Sequence, residues 1–333
     1  MSAVWRDEVR EIYAKYAIYD QSGGGEQKVF DAVGTGVSRS SRVVEFLTPH
    51  CLGEALRLLD IGCGNGAFLR AVSDRYPEWR LNGTEFDTRH REEVLRISGV
   101  EAFHAGPLTA LGGSFDVISL VHVLEHIEHP GVLLREIAAR LNPGGLLLIE
   151  VPNRDLNPFD LLIADHCTHF DLTTLADLLN AAGFDVIHAT DTVVPKELSA
   201  VAWVSGASPT ARSRRSDARQ RFEETEAALR WLRSVAHQAD AMAKSDRPFG
   251  IFGTSIAATW LDSTLGEGAV FFVDEDPGRV GRRWRGRPVL GPGEVAPGAD
   301  VFVPLAGEAA QRVARRLNGA ARYIAPAPFR TGE

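Results

Sequence analysis

Cysteine is scarce in this chain: Cys51, Cys63 and Cys167 are the three among 333 residues. The number is odd and the spacing fits no metal-ligand pattern. A disulfide-built secreted scaffold and a cysteine-ligated zinc module are therefore not expected. Long apolar runs are missing as well, and none approaches the ~20 residues that a membrane-spanning helix needs. The amino terminus alternates charge with apolar residues and has no signal-peptide core. A basic excess is also absent. With 36 Lys and Arg against 44 Asp and Glu, the net charge is −8, which argues against a nucleic-acid binder that must meet phosphate with a basic face. What is present is ordinary globular composition, 44% hydrophobic and 24% charged, in a length that suggests two domains at roughly 150 residues each. The expectation is a soluble, reduced, cytoplasmic protein with no nucleic-acid and no membrane partner.

Residues 1–50 read as helices broken by a loop. Val4, Val9, Ile12 and Tyr13 recur at near-helical spacing, and Gln21-Ser22-Gly23-Gly24-Gly25 interrupts them. Tyr13, Tyr16, Tyr19 and Gln21 before that run suit either a hinged lid or an ordinary helix with a loose loop. From residue 56 short apolar runs alternate with amphipathic stretches. Strands are expected at 56–61, 79–85, 115–121 and 146–151, with a helix from 67. Leu134, Ile137, Ala138 and Leu141 make one buried helix stripe, which Asn142-Pro143-Gly144-Gly145 stops. Leu175, Leu178, Leu179 and Ala182 repeat the stripe, and closing strands follow at 184–189 and 198–204. Such alternation argues for a parallel sheet covered by helices on both faces.

The polar, basic stretch 208–217 reads as a linker. Beyond it Phe222, Leu229, Leu232, Val235 and Ala239 line one face of a helix about 30 residues long. That face suits packing against a neighbouring domain or a second subunit, so a homodimer is allowed for. A smaller α/β pattern starts at residue 249, with strands at 249–252 and 269–273 around a helix at 256–265, and a later helix near 309–317. The expected organisation is a helical cap at 1–50, a main α/β domain at 51–207, linker and long helix at 208–246, and a small Rossmann-like domain at 247–333.

The sharpest signal is Leu58-Leu59-Asp60-Ile61-Gly62-Cys63-Gly64-Asn65-Gly66-Ala67. An apolar strand runs into glycines on alternate positions and then into a helix, so the backbone can turn tightly and lie against a ligand. Glu85, at the end of the next strand, can accept both ribose hydroxyls of an adenosine group. The spacing is G-x-G-x-G, not the dinucleotide G-x-G-x-x-G. Asp60 before the first glycine favours a cationic ligand group over pyrophosphate.

Four further segments stand in order beside this loop: Phe115-Asp116-Val117-Ile118, Val123-Leu124-Glu125-His126-Ile127, Leu141-Asn142-Pro143-Gly144-Gly145 and Val151-Pro152-Asn153. Over about residues 55–205 the chain resembles class I S-adenosylmethionine-dependent methyltransferases. The resemblance implies a Rossmann-like seven-stranded sheet whose final strand is antiparallel, with S-adenosyl-L-methionine across the strand carboxyl ends. It implies that Asp60 and the backbone of Gly62, Cys63, Gly64 and Gly66 hold the methionine portion and Glu85 the ribose. Val121 and His122 are implied in cofactor binding too. Where the family often has an acid for adenine, this chain reads His104-Ala105-Gly106-Pro107, so backbone and apolar groups are expected there.

Methyl transfer from a sulfonium needs the acceptor aligned and deprotonated, and histidine suits the second task. His122, His126 and His129 follow the fourth strand, and His166 and His169 lie in the loop after the fifth. Three readings stand side by side. These side chains cap helices and satisfy loop backbone, His129 and His169 above all. Or they join carboxylates around a divalent ion, although no metal is the expectation adopted. Or His166 is the general base, Asp165 or Glu125 orients an imidazole, and His126 positions the acceptor. The Asp165-His166 pair and His126 are similar to the active-site residues of sugar-nucleotide C-methyltransferases, which carry an appended carboxy-terminal domain like the one expected at 247–333.

In that second domain Ser255 stands where a second glycine would be, and Arg279, Arg282, Arg283, Arg285 and Arg287 form a basic strip. The strip either meets the diphosphate of a nucleotide-linked substrate or is a solvated loop. The acceptor expected is a small polar molecule, a sugar or nucleotide sugar. Alternatives are a phenolic or quinone hydroxyl, a nicotinamide oxidoreductase, and a scaffold that binds the cofactor without catalysis.

Overall fold

The computed structural model describes Arg6, Asp7, Val9, Glu11, Ile12 and residues 28–30, 36–205 and 218–329. The lid residues Tyr13, Tyr16, Tyr19 and Gln21 and the linker at 208–217 lie outside the described residues. Near the amino terminus, where helices were expected, β1 (Lys28–Phe30) and β2 (Gly36–Ser38) pair antiparallel. α1 (Arg39–Leu47) follows, its first turn capped by Ser38, whose Oγ accepts from the Ser41 N–H at 3.1 Å.

The main sheet is built by β3 (Arg57–Ile61), β4 (Arg80–Glu85), β5 (Val100–Ala105), β6 (Phe115–Val121), β7 (Leu141–Pro152), β8 (Phe184–Thr190) and β9 (Glu197–Val204). Between them come α2 (Ala67–Arg75), α3 (Arg91–Leu95), α4 (Pro130–Ala138) and α5 (Leu172–Ala181). The strand order is β5-β4-β3-β6-β7-β9-β8, parallel except that β9 runs antiparallel to both neighbours. The seven-stranded sheet with an antiparallel final strand is therefore present. Side chains alternate across it: Leu58, Val117, Leu146 and Leu148 join one core with α1 and α2, while Leu59, Ile118, Leu147 and Ile149 join the other with α4 and α5. Leu141 is not part of the α4 stripe, as expected from spacing. It lies on β7 opposite Phe115, beside a register shift, and the left-handed Gly144 (φ 78°) lets the strand begin irregularly there.

Contacts divide the chain into two compact units, Met1–Arg154 with Ala164–Ser216, and Asp155–Ile163 with Asp217–Glu333. The second contains α6 (Ala218–Ala243), β10 (Phe249–Phe252), α7 (Ile256–Leu265), β11 (Phe271–Val273), β12 (Arg283–Trp284), β13 (Arg287–Leu290), β14 (Asp300–Phe302), α8 (Glu308–Leu317) and β15 (Arg322–Ile324). Its sheet runs β12-β13-β11-β10-β14-β15, with β12 the antiparallel edge of an otherwise parallel, doubly wound sheet. α6 buries Ala228, Trp231, Leu232, Val235 and Ala239 in this unit's core together with Phe159, Phe249 and Phe272. Phe222 and Leu229, expected on the buried face, are exposed, because the stripe is centred on Trp231 and Val235, about a quarter-turn or more away. Among the described residues no helix is long and apolar enough to cross a membrane.

Candidate active site

β3 ends in a bend that only glycine adopts without strain: Gly62, Gly64 and Gly66 have φ of 71°, 51° and 80°. A Cβ at Gly62 would run into the Val123 side chain, so the bend also packs tightly on the loop after β6. The Gly62 and Cys63 N–H groups both donate to the Thr84 carbonyl, at 2.8 and 3.1 Å, tying the bend to the end of β4. The next residue there, Glu85, accepts from Gly64 N–H at 2.9 Å and from Phe86 N–H at 2.8 Å. Its carboxylate thus lies across the bend. Cys63 is buried, and a Cβ at Gly83 would come within 2.7 Å of its Sγ. Only the Cys63 backbone can serve a ligand.

Asp60 sits beneath the bend, 2% exposed, and accepts from Ser119 Oγ at 2.8 Å. Parallel pairing of β3 with β6 sets Asp60 opposite Ser119. Burial pushes the carboxyl up to about 7, with Glu85 adding to the rise and Ser119 opposing it. Two neighbours were not singled out from the sequence. Asn65 is buried and its Oδ1 has no hydrogen-bond partner among the described residues. Phe86 is 83% exposed beside Glu85. A charged-to-aromatic step at a strand end is a detectable signal, whereas nothing local marks Asn65.

β6 hands over to the second half of the site through Val121, which is partly exposed, and His122, whose φ is 55°. A non-glycine residue in the left-handed region is a strained conformation that its surroundings must hold. They do so through the ring: Nδ1 lies 3.2 Å from Glu125 Oε1 and Nε2 lies 3.0 Å from Glu197 Oε2. Burial works against a charged imidazole here, but the two carboxylates outweigh it and raise His122 to about 10. Arg39 Nη1 stands 2.9 Å from the same Nε2 and 3.5 Å from Glu197 Oε1. A charged imidazole and a guanidinium are both donors and cannot bond to each other, so with the ring charged Nε2–H points to Glu197 and the guanidinium is an opposing neighbour. Burial also opposes ionisation of Glu197, yet His122 holds it down at about 2. Glu150, fully buried on β7, is raised well above the usual carboxylate range by burial and by Glu197. Glu150, Glu197 and Arg39 were not anticipated; an acid inside the apolar run 146–151 was the available sign for Glu150.

A short 3-10 turn, Leu124–His126, carries the central acid and imidazole. The loop before α5 is stitched to it: Cys167 and Thr168 N–H donate to the Glu125 carbonyl at 2.7 and 3.2 Å, and Cys167 Sγ donates to the His126 carbonyl at 3.3 Å. This brings Asp165 Oδ2 to 3.1 Å from His126 Nδ1. Asp165 therefore faces His126, not the adjacent His166. Burial resists the charge on both, and the mutual hydrogen bond prevails, raising His126 and lowering Asp165. The His166 ring stands at 85° to that of His126, centroids 4.7 Å apart. Glu125 is 1% exposed, and its Oε2 has no hydrogen-bond partner among the described residues, a state that costs roughly 1–3 kcal/mol or more for a charged group. His129 occupies the cap position of α4 without a side-chain capping bond. His169 lies beside His166, ring centroids 6.3 Å apart.

In the second unit Gly253 has φ 83°, and Thr254 Oγ1 donates to Asp274 Oδ2 at 3.1 Å. The basic strip is largely engaged internally. Arg285 and Arg287 hold the buried Asp262 at 2.7 and 2.8 Å, Arg279 pairs with Asp274 and Asp276, and Arg283 donates to the Gly286 carbonyl.

The order of the seven strands, with a glycine bend, an acid at the end of the neighbouring strand and an imidazole cluster following β6, is that of the S-adenosylmethionine-dependent methyltransferase class. Residues 26–189 match the family described as "Methyltransferase domain". It is 34% identical over 114 residues to a ubiquinone biosynthesis O-methyltransferase of Parvibaculum lavamentivorans, covering 31% of this chain and 43% of that one. Against the protein of that name from Caulobacter sp. it is 35% identical over 120 residues, covering 32% and 45%. The chain thus spans less than half the length of these curated relatives. Among solved structures, a Burkholderia thailandensis 1,6-didemethyltoxoflavin-N1-methyltransferase with bound S-adenosylhomocysteine is similar at a TM-score of 0.45 and 20% identity, over 61% of this chain and 87% of that one.

Proposed function

We propose that the chain methylates a hydroxyl oxygen of a small phenolic or quinone-type molecule, using S-adenosyl-L-methionine, and that His126 removes the hydroxyl proton. The observation that carries this reading is the Asp165–His126 pair at 3.1 Å, with His126 on the segment after β6 that packs against Gly62 through Val123. The names of the relatives support an oxygen acceptor over the sugar expected from the sequence. In the second unit Arg279, Arg285 and Arg287 are paired with Asp274, Asp276 and Asp262, which makes them less suited to meet the diphosphate of a nucleotide sugar.

The residues around the bend fit the cofactor: a left-handed glycine run, a buried amide oxygen on Asn65 without a partner, and acids at Asp60 and Glu85. Asp60 and the Gly62, Cys63, Gly64 and Gly66 backbone would hold the methionine end, Glu85 the ribose and Phe86 the adenine face. His122 has both ring nitrogens facing carboxylates, so it and Val121 would contribute main chain. Bound there, S-adenosylmethionine supplies an electrophilic methyl group for in-line displacement. Asp165 fixes His126 by its Nδ1–H and balances the imidazolium that forms, and Nε2 would be the atom that takes the acceptor's proton. His166 stands against the same ring and would position the acceptor.

Incubation with methyl-labelled cofactor and parallel panels of phenols, catechols, hydroquinones and nucleotide sugars tests the reading. Label should move to phenolic oxygens and be lost in His126→Ala; label on a sugar carbon, with phenols untouched, overturns it.

A further inference from the structure

The chain leaves the methyltransferase unit after Arg154 and returns to it at Ala164; the stretch between, Asp155–Ile163, belongs to the second unit. The base of this excursion is tied in the first unit. Arg154 N–H donates to the Phe170 carbonyl at 2.9 Å, and Arg154 Nη2 lies 3.4 Å from Asp171 Oδ2. At the tip a 3-10 helix, Pro158–Leu162, carries Phe159 into the core of the second unit, where it is 4% exposed. Its ring stands edge-on to Trp231 of α6, centroids 5.4 Å apart, and to Trp260 of α7 at 6.1 Å, an arrangement that aromatic pairs favour. Leu161 and Leu162 pack against the same core. A helix this short is marginal alone, so the burial of these side chains is what holds it.

We infer that Phe159 is a positioning residue for the methyl transfer proposed above: sunk in the second unit, it fixes where the loop returns and thereby holds Asp165 against His126. The coupling runs along the chain itself. Only Ala164 separates Ile163, the last residue of the excursion, from Asp165, and two residues reach at most ~7 Å. Little slack is left between the buried tip and the carboxylate, whose Oδ2 stands 3.1 Å from His126 Nδ1. Misplacing a catalytic group by ~1 Å can cost about 100-fold in rate. The second unit thus takes part in the reaction as the seat of the loop. The loop lies inside the segment that matches the family, residues 26–189, whereas Trp231 and Trp260 lie beyond it, so the anchor is supplied from outside that segment. The inference rests on the His126 reading for its effect on rate, and on the geometry alone for the placement of Asp165.

The test uses the full chain. In Phe159→Ala, kcat for a phenolic acceptor should fall by roughly 10- to 100-fold and the rising limb of the kcat–pH profile should move to lower pH, as in Asp165→Asn. Phe159→Leu should recover much of the rate. Because Phe159 acts through Asp165, the double variant Phe159→Ala/Asp165→Asn should lose no more than Asp165→Asn alone. Val301→Ala, in the other core of the second unit, should leave kcat and the limb unchanged. S-adenosylhomocysteine binding by calorimetry should stay within about twofold throughout, showing that the first unit is folded. A second readout needs no acceptor: the His126 ring-proton resonances followed against pH by NMR. Asp165 and Glu125 raise this imidazole and the His166 ring stands against it, so withdrawal of Asp165 in Phe159→Ala should lower the midpoint toward about 6.5. Should Phe159→Ala fail to fold, Phe159→Leu and Trp231→Phe carry the comparison, with smaller shifts in the same direction. An unmoved midpoint in the variants, multiplied losses in the double variant, or an equal loss in Val301→Ala overturns the anchor and leaves hydroxyl methylation standing. A lowered midpoint in a protein that methylates no hydroxyl keeps the anchor and removes the function.

Discussion

His126 and Asp165 lie 39 residues apart in the chain and meet at 3.1 Å, imidazole Nδ1 to carboxylate Oδ2. Neither belongs to a strand. One sits on the turn after β6, the other on the loop before α5, and backbone donors from Cys167 and Thr168 to Glu125 hold the two segments together.

That pair sets a pH dependence. His126 is raised above its ordinary range, chiefly by Asp165 once the opposing burial is overcome. A general base must be unprotonated, so the rate should climb with pH through the raised value, above about 6.5. Asp165→Asn removes the carboxylate's support, moving the rising limb to lower pH while lowering kcat by roughly 10- to 100-fold. A kcat–pH profile checks this; an unmoved limb would mean that another group titrates.

Asp60 makes stability and binding oppose each other. Its carboxyl is raised to about 7 by burial. The native state therefore keeps a proton that the unfolded chain releases near its ordinary value of 3.8, and stability falls as pH rises between those values. Asp60→Asn retains the shape and should stabilise the cofactor-free protein at pH 8 by on the order of 2–4 kcal/mol. It should also weaken S-adenosylmethionine binding and flatten the gain in affinity expected as pH rises through 7. Denaturant melts and calorimetry at pH 6 and 8 measure both.

The charge cluster around His122 should show at the opposite end of the scale. His122 is raised to about 10, so its contribution to stability is complete below about 6.5 and is lost as pH rises through 10. Glu197, held at about 2, contributes above about 4.5 and loses its part as pH falls through 2. His122→Ala leaves Glu125 buried without its cation and Glu197 with Arg39 alone, and about 3–5 kcal/mol of destabilisation at pH 6 is expected. Urea unfolding at pH 6, 8 and 10 should show the parent losing stability with pH and the variant much less.

Phe86 tests where adenine lies. An exposed ring directly follows Glu85, the place where an adenine face would lie. Phe86→Ala should weaken cofactor binding by about 3- to 10-fold, equivalent to ~0.5–1.5 kcal/mol, with little effect on melting temperature because the ring is 83% exposed. Unchanged affinity for S-adenosylhomocysteine would move adenine elsewhere.

Much of the fold was legible because its causes are local. The strands at β3, β4 and β6 announce themselves as apolar runs, and α7 was placed to the residue by its flanking turn residues and apolar spacing. The misplacements are instructive. Leu141 has the helical spacing of Leu134 and Ile137, yet pairing with Phe115 draws it into β7. Leu229 shares the apolar character of Leu232, but helix geometry turns it outward.

What the sequence by itself determined is the glycine bend after β3. Glycines on alternate positions between an apolar strand and a helix permit few other backbones, and Glu85 follows at the end of the next strand. Only the tertiary structure decided which acid serves which imidazole. Asp165 turned to His126 in preference to its neighbour His166, and His122 found Glu197, 75 residues away, on a strand that returns antiparallel beside β7. Such pairings depend on strand register and loop stitching, and at these separations no spacing rule reaches them, because a side chain's partner is set by where the backbone places it and not by its neighbours in the chain.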